Sequence, residues 1–501
     1  MSLATTYCRA GVGIDAPLVT LETHLANGLP SFNLVGLPEK SLQESRDRVR
    51  SAIVNAGFEF PTRRITVNLA PADLPKQGAR FDLAIAIGIL IASKQLKTQL
   101  SDMELIGELT LSGQLRSVNG VLPAVIAAAH DGHKVIVPQG NANEAGIVEH
   151  IQAYAADSLL GVCQHLSNHQ ALPLITNDAP LAVSDYVHDL RHVKGQSQAR
   201  RALEVAAAGQ HNLLMMGPPG SGKSMLAACL PSILPPLQVR DALQTAAIHS
   251  ISQQSFPEDW QQRPFRSPHH TCSSAAMIGG GSQPRPGEIS LANNGVLFLD
   301  EFPEFDRNVL EAMREPLETH QVHISRAAHQ ATFPARFQLI AAMNPCKCGY
   351  ANDPKKRCDQ CTPAATAKYQ QKISGPLRDR IDIQIEVPAV DTQELISSKA
   401  VGESSERVRA RVVNAWETQV ARQGCANALL SNPDIESVCH LDATQQNLLA
   451  KAIDQLGLSA RAYHRILKVA RTIADLDHSQ QIHTSHLTEA IGYRRLDTSA
   501  I

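Results

Sequence analysis

Aromatic residues are scarce in this chain, at 4% of 501 residues with two tryptophans. Broad stacking of nucleobases on aromatic rings is therefore excluded as its main mode of contact. An excess of charge of one sign is also absent, since the formal net charge is −2. Any contact with nucleic acid must come from a local basic surface, not from a global field. Long apolar runs are missing. The longest, Leu83 to Ala92, is too short to span a bilayer and reads as a buried helix. The first residues, MSLATTYCRAGVGID, lack a basic stretch followed by an apolar one, so no secretory leader is expected. Internal repeats and low-complexity tracts are not evident. Together these features predict a cytoplasmic protein without membrane contact.

What is present is ordinary globular composition, 43% hydrophobic and 19% charged. The length calls for about two to four domains. Residues 1–170 alternate strand and helix patterns: a strand over Arg63 to Pro71, a helix in FDLAIAIGILIASKQL, a hairpin in GELTLSGQLRSV turning at Ser112-Gly113, a helix in LPAVIAAAHDG and a strand in HKVIVP. Residues 171–189 mix proline with small and acidic residues and read as a linker. A second α/β unit covers 190–389. From 390 to 501 the pattern is helical, with Val408, Val412, Ala415 and Val420 at helical spacing.

The strongest chemical signal is HNLLMMGPPGSGKSMLAACL. An apolar strand runs into Gly217, Pro218, Pro219, Gly220, Ser221, Gly222, Lys223 and Ser224, and a helix begins directly afterwards. This is the G-x-x-x-x-G-K-S phosphate loop in the context it requires. Its glycines let backbone N–H groups turn inward to phosphate oxygens, at a helix N-terminus whose dipole favours anions. Lys223 is expected to reach the β- and γ-phosphates of ATP, and Ser224 to ligate Mg²⁺. A simple glycine turn before an ordinary helix is the competing reading.

A partner motif follows in GVLFLDEFPEF. The apolar run reads as a strand buried on both faces. Asp300 and Glu301 then stand at its C-terminal end, where parallel sheets place their ligands. Asp300 is expected on the metal and Glu301 on the attacking water. Glu304 has no comparable argument. FQLIAAMNP is a further buried strand, ending in Asn344, which can face the γ-phosphate. Arg378 and Arg380 precede another strand in SGPLRDRIDIQIEVP, and Arg461 opens a helix in GLSARAYHRILKV.

These segments, with VKGQSQARRALEVAAAGQ, RPFRSPHHTCSSAAMIGGGSQPRPGEISLANN and NPCKCGY, resemble the ComM/YifB family of magnesium-chelatase-like AAA+ ATPases, related to MCM helicases. The resemblance covers nearly the whole chain. It implies a P-loop AAA+ core with a C-terminal helical lid, assembled as a homohexameric ring with ATP between subunits. It further implies a motor for DNA branch migration in natural transformation. Arg380 matches the family's trans arginine; Arg378 stands two residues earlier, where relatives carry leucine. Arg461 matches the sensor arginine of the lid, and Val193 to Gln196 the segment near the adenine. The N-terminal domain resembles a Lon-type protease domain, with Arg80 and Leu122 at the positions of its serine and lysine. That pair cannot form a nucleophilic dyad, so no peptidase activity is expected. Two other functions share these motifs: a chelatase-type ATPase that remodels a protein partner, and a nucleotide-switched scaffold.

Three further features carry expectations. Cys346, Cys348, Cys358 and Cys361 form a C-x-C and a C-x-x-C pair, which suits a structural Zn²⁺ that folds their loop; four reduced surface thiols are the alternative. QVHIS and QATFP flank a turn and read as a hairpin. In MCM-like motors such a hairpin faces the ring pore, which makes Arg326 the DNA-backbone candidate. Lys40 to Ile53 is a helix with Arg46, Arg48 and Arg50 among Glu44 and Asp47, more consistent with a salt-bridged face than with a DNA surface. His269 and His270 are expected to hydrogen-bond within their loop.

Overall fold

A computed structural model describes residues 2–36, 44–76, 78–176, 186–252, 259–281, 284–325, 330–351, 358, 361–390, 402–494 and 496. The two larger sheets among the described residues follow different logic. The first has seven strands in the order Ser31–Val35, Arg64–Ala70, Leu18–Ala26, Ser2–Arg9, Met103–Leu105, Lys134–Pro138, Ala153–Ala156. Ser2–Arg9, Leu18–Ala26 and Arg64–Ala70 pair antiparallel in turn, and the remaining neighbours are parallel, Ser31–Val35 on Arg64–Ala70 and Met103–Leu105, Lys134–Pro138 and Ala153–Ala156 on the other side. The apolar run expected to be a buried helix is one, Asp82–Ala92, with Leu83 to Leu90 inaccessible. It lies on Ser2–Arg9 and Leu18–Ala26, where Thr6 Oγ1 donates to Ala84 O at 3.0 Å. The helix Ser45–Asn55 packs beside it, and Arg48 Nε meets Asp82 Oδ2 at 2.7 Å. Arg48 therefore serves the fold.

Within the stretch read from sequence as a linker, Ala155 N donates to Pro173 O (3.2 Å) and Ile175 N to Ala153 O (2.8 Å). This short extended segment lies along the edge strand Ala153–Ala156. Prolines and polar residues around it conceal its extended pairing from a periodicity reading.

The second sheet is all parallel, in the order Phe265–Arg266, Val296–Leu299, Gln338–Met343, Leu213–Met216, Ile383–Glu386. Its strands are apolar on both faces because both are covered. Leu213 and Met215 face one core, shared with helices Ser197–Gly209, Lys223–Ile233, Ser405–Gln423 and Ala460–Leu476. Leu214 and Met216 face another, shared with helix Arg307–Ala312 and with the base of the expected hairpin. That hairpin pairs Gln321–Ser325 with Gln330–Pro334, and buries Val322, Ile324 and Phe333 at its root. Its tip, with Arg326, lies outside the described residues.

Among the described residues the two sheet units touch at the helix Val239–Ile251 and near the hairpin. Leu122 and Ile147 of the first pack on Ala246 and Ala247 of helix Val239–Ile251, and Gly120 N donates to Ser250 O at 2.9 Å. Ile14 packs against the cluster at the hairpin root. Arg80 lines the cleft between the units, and its Nη2 donates to Asn119 O. Among the described residues no helix is long and apolar enough to cross a membrane.

Candidate functional site

The phosphate loop leaves Leu213–Met216, an interior strand of the parallel sheet. Gly220 and Gly222 have φ of 76° and 88°, a region closed to most side chains, which is why glycine stands at both. Gly222 caps the helix Lys223–Ile233. Lys223 is largely buried, and its Nζ donates to Gly217 O and Pro218 O, both at 2.8 Å. Asn344 Oδ1 is 3.5 Å from the same nitrogen. Burial pushes the Lys223 ammonium down from its ordinary pKa, against the pull of Asp300. A desolvated cation bonded mainly to carbonyls gains from an anionic ligand.

Ser224 Oγ donates to Asp300 Oδ2 at 2.7 Å. The strand Val296–Leu299 delivers Asp300 next to the loop because it pairs with Gln338–Met343, which pairs with Leu213–Met216. A hydroxyl and a carboxylate in contact at a phosphate loop form the oxygen ligand pair that Mg²⁺ takes. Asp300 Oδ1 accepts from Glu301 N at 2.9 Å, and Glu301 turns sharply with φ 51°. Its Oε2 lies 3.1 Å from His270 Nδ1. No local pattern marks that pair, since His270 follows a different strand, Phe265–Arg266. Glu304 instead meets Lys372 at 3.1 Å. Gln196 Nε2 donates to Ser221 O at 3.1 Å and also to Pro388 O, so the VKGQ segment does border the loop. Lys223, Ser224, Asp300 and Asn344 are thus one cluster, with Glu301 at its rim.

Arg380 belongs elsewhere. It precedes the strand Ile383–Glu386, at the end of the sheet opposite the phosphate loop. Its Nη2 meets Glu318 Oε1 at 2.6 Å and its Nη1 donates to Pro376 O at 2.6 Å. Arg378 Nη2 donates to Gln370 O at 3.5 Å. Arg461 is exposed in the first turn of helix Ala460–Leu476. The flanking residues of that helix dock on the Arg380 segment: Ser459 Oγ on Asp379 Oδ2 at 3.3 Å, and Arg465 Nη1 on Arg380 O at 3.2 Å. Arg461 and Arg380 therefore share a side of the molecule, away from the chain's own phosphate loop.

The four cysteines converge, with Sγ atoms all within 4.8 Å of one another. Cys346 to Cys348 and Cys348 to Cys358 are 3.3 Å apart, and Cys346 to Cys358 is 3.7 Å. Tetrahedral zinc with Zn–S of about 2.3 Å places sulfurs about 3.8 Å apart, so the quartet fits that ion. Burial opposes ionisation of Cys346, but hydrogen bonds from Cys348 and Ala351 N outweigh it and bring its pKa to about 7. The same loop buttresses the phosphate loop. A Cβ on Gly349 would come within 2.7 Å of Pro219 Cδ.

Comparison with known proteins agrees with this geometry. The family described as "Magnesium chelatase, subunit ChlI" matches residues 189–395. "Subunit ChlI of Mg-chelatase" matches 21–141, and the "subunit ChlI C-terminal" family matches 402–494. The chain is 51% identical to Competence protein ComM of Haemophilus influenzae, over 99% of this chain and 98% of that one. It is 49% identical to YifB of Salmonella typhimurium, again over 99% and 98%. The DNA replication licensing factor mcm-6 of Caenorhabditis briggsae is 23% identical over 41% of this chain and 25% of its own length. A phosphate loop inside a five-stranded parallel sheet, a helical C-terminal region and full-length likeness to these relatives lead to one assignment: the chain belongs to the magnesium-chelatase-like AAA+ family, in the group of ComM and YifB.

Proposed function

We propose that this protein is an ATP-hydrolysing ring motor that acts on DNA as a branch-migration translocase. The observation that carries the ATPase reading is the contact of Ser224 with Asp300 beside Lys223 and Asn344. In this reading the loop Gly217 to Ser224 holds the triphosphate, and Lys223 neutralises the β- and γ-phosphates. Ser224 and Asp300 would hold Mg²⁺, which when bound would offset charge that builds up in phosphoryl transfer. Glu301 orients the attacking water and Asn344 senses the γ-phosphate. Arg380, and with it Arg461, serves the site of the adjacent subunit in a homohexamer. The cysteine quartet holds zinc and stiffens the loop behind Pro219. The residue spans 1–170, 190–389 and 390–501 act as platform, motor core and lid.

DNA as the substrate is supported by the hairpin Gln321–Pro334 and by two relatives: one is called a competence protein, the other a DNA replication licensing factor. The test is the ATPase rate with no DNA, single-stranded DNA and four-way junctions, at one fixed salt concentration because phosphate contacts are salt-dependent. Stimulation by DNA and movement of the junction are expected. An active ATPase indifferent to every DNA would leave the ATPase and remove the DNA substrate. A second reading is a chelatase-type ATPase that remodels a protein partner, in keeping with a family described as a subunit of magnesium chelatase; stimulation by such a partner and not by DNA would favour it.

A further inference from the structure

A second polar cavity, of about 410 Å³, opens at the end of the core sheet opposite the phosphate loop. Asn212, Gly295, Gln338 and Asp382, at the N-terminal ends of four parallel strands, contribute to one wall. Ala428 to Ser431 and the helix Ala460–Leu476 contribute the other.

Cations dominate the lining. Arg263, Arg336, Arg465 and Lys468 stand against two carboxylates, Glu318 and Asp382. Both carboxylates are already engaged, Glu318 by Arg380 at 2.6 Å and Asp382 by Arg465. Arg336 meets Asp241 at 2.8 Å. Arg263 and Lys468 have no carboxylate partner among the described residues. Arg263 donates to Pro235 O (2.7 Å) and Asn294 O (2.6 Å), and Lys468 to Ala428 O (3.0 Å). Carbonyl dipoles compensate only part of a buried positive charge.

The electrostatics agree with that count. Burial and then Arg336 push the Arg263 pKa down to about 10. Burial lowers Lys468 too, with Arg465 adding to it against the pull of Asp382. His320, also in the lining, is lowered by burial and then by Arg336 and Lys468. The basic groups therefore feel one another across the cavity.

We propose that this cavity binds a phosphate-bearing anion: inorganic phosphate, pyrophosphate or the phosphates of a nucleotide. Two guanidinium groups and an ammonium supply the planar and point donors that phosphate oxygens take. The volume lies within the range of small-molecule sites. The ligand would join Lys468 of the C-terminal helices to Arg263 and Arg336 of the core. It would also sit at the hairpin root, since His320 directly precedes one hairpin strand and Arg336 follows the other. The site is independent of ATP hydrolysis by the phosphate loop.

The test uses full-length Lys223→Ala, which removes the lysine grip of the phosphate loop. Its melting temperature is read in sodium chloride, phosphate, pyrophosphate and ATP without metal, at matched ionic strength. Pyrophosphate is expected to raise it by several degrees over chloride, and phosphate by less. An equal rise with ATP identifies nucleotides as a source, and no rise with ATP restricts the site to inorganic anions. In the Lys223→Ala background, Lys468→Met should melt cooperatively and lose at least half of the shift. Isothermal calorimetry with pyrophosphate on Lys223→Ala provides a readout that does not depend on the second variant folding. No heat and no shift beyond chloride would overturn the proposal, as would a full shift retained in a folded Lys468→Met protein.

Discussion

Arg380 is held by Glu318 at 2.6 Å, and Glu318 lies three residues before the strand Gln321–Ser325 that begins the hairpin. The arginine side chain is 6% exposed and the glutamate side chain 47%. The arginine that matches the family's trans residue is thus tied within its own chain to the root of the element proposed to contact DNA. Displacement of the hairpin would move the acid that holds the arginine.

Arg380→Ala should lower the ATPase rate by about 10³-fold, the magnitude known for trans arginines, while nucleotide binding is kept. Mixing it with Lys223→Ala should restore part of the rate. Mixed rings place an intact phosphate loop beside an intact Arg380, which neither variant offers alone. Failure of the mixture to exceed the sum of its parts, in subunit-exchange ATPase assays, would count against action in trans.

Glu301 Oε2 lies 3.1 Å from His270 Nδ1, and an ionised carboxylate only accepts, so the contact is attractive when Nδ1 donates. His270 then fixes the direction of Glu301. His270→Ala should reduce kcat about tenfold with little change in KM for ATP, because the interaction orients a group needed in the transition state. His270→Asn, which retains a donor, should recover part of the loss. Steady-state kinetics on both variants decide the point.

The cysteine quartet should carry about one zinc per chain, measurable by elemental analysis. Chelation, or Cys346→Ser with Cys348→Ser, should lower the melting temperature. The ATPase should fall with it, because Gly349 of that loop packs on Pro219. Metal-free protein with unchanged stability would assign the thiols no structural ion.

Asp382 is buried, which raises its carboxyl pKa, but Arg465 and then His211 outweigh burial and hold it well below the usual carboxylate range. A depressed folded-state pKa contributes stability above the unfolded value of about 4, and loses it as pH falls toward the folded value. Asp382→Asn should therefore cost about 3–5 kcal/mol at pH 7. The difference from the native chain should narrow below pH 4, in urea titrations at pH 7 and pH 3.

The sequence displayed the phosphate-loop cluster plainly because each part is a contiguous strand with its functional residue at one end. Leu213–Met216, Val296–Leu299 and Gln338–Met343 are apolar throughout, and only parallel pairing was needed to bring Lys223, Asp300 and Asn344 together. The pairs Glu318–Arg380 and His270–Glu301 join segments distant in the chain, and no local pattern encodes such contacts. The central strands Ser2–Arg9 and Leu18–Ala26 were also not evident. Polar residues such as Thr6 and Thr23 are buried on them, which blurs the two-residue alternation that marks a half-buried strand.

The most direct measurement is calorimetric titration of the folded protein with ATP and Mg²⁺, beside Lys223→Ala. The native chain should bind in the micromolar range, and the variant at least tenfold more weakly. Absence of nucleotide uptake by well-folded native protein, or equal uptake by both proteins, would contradict the assignment of this loop as the phosphate site.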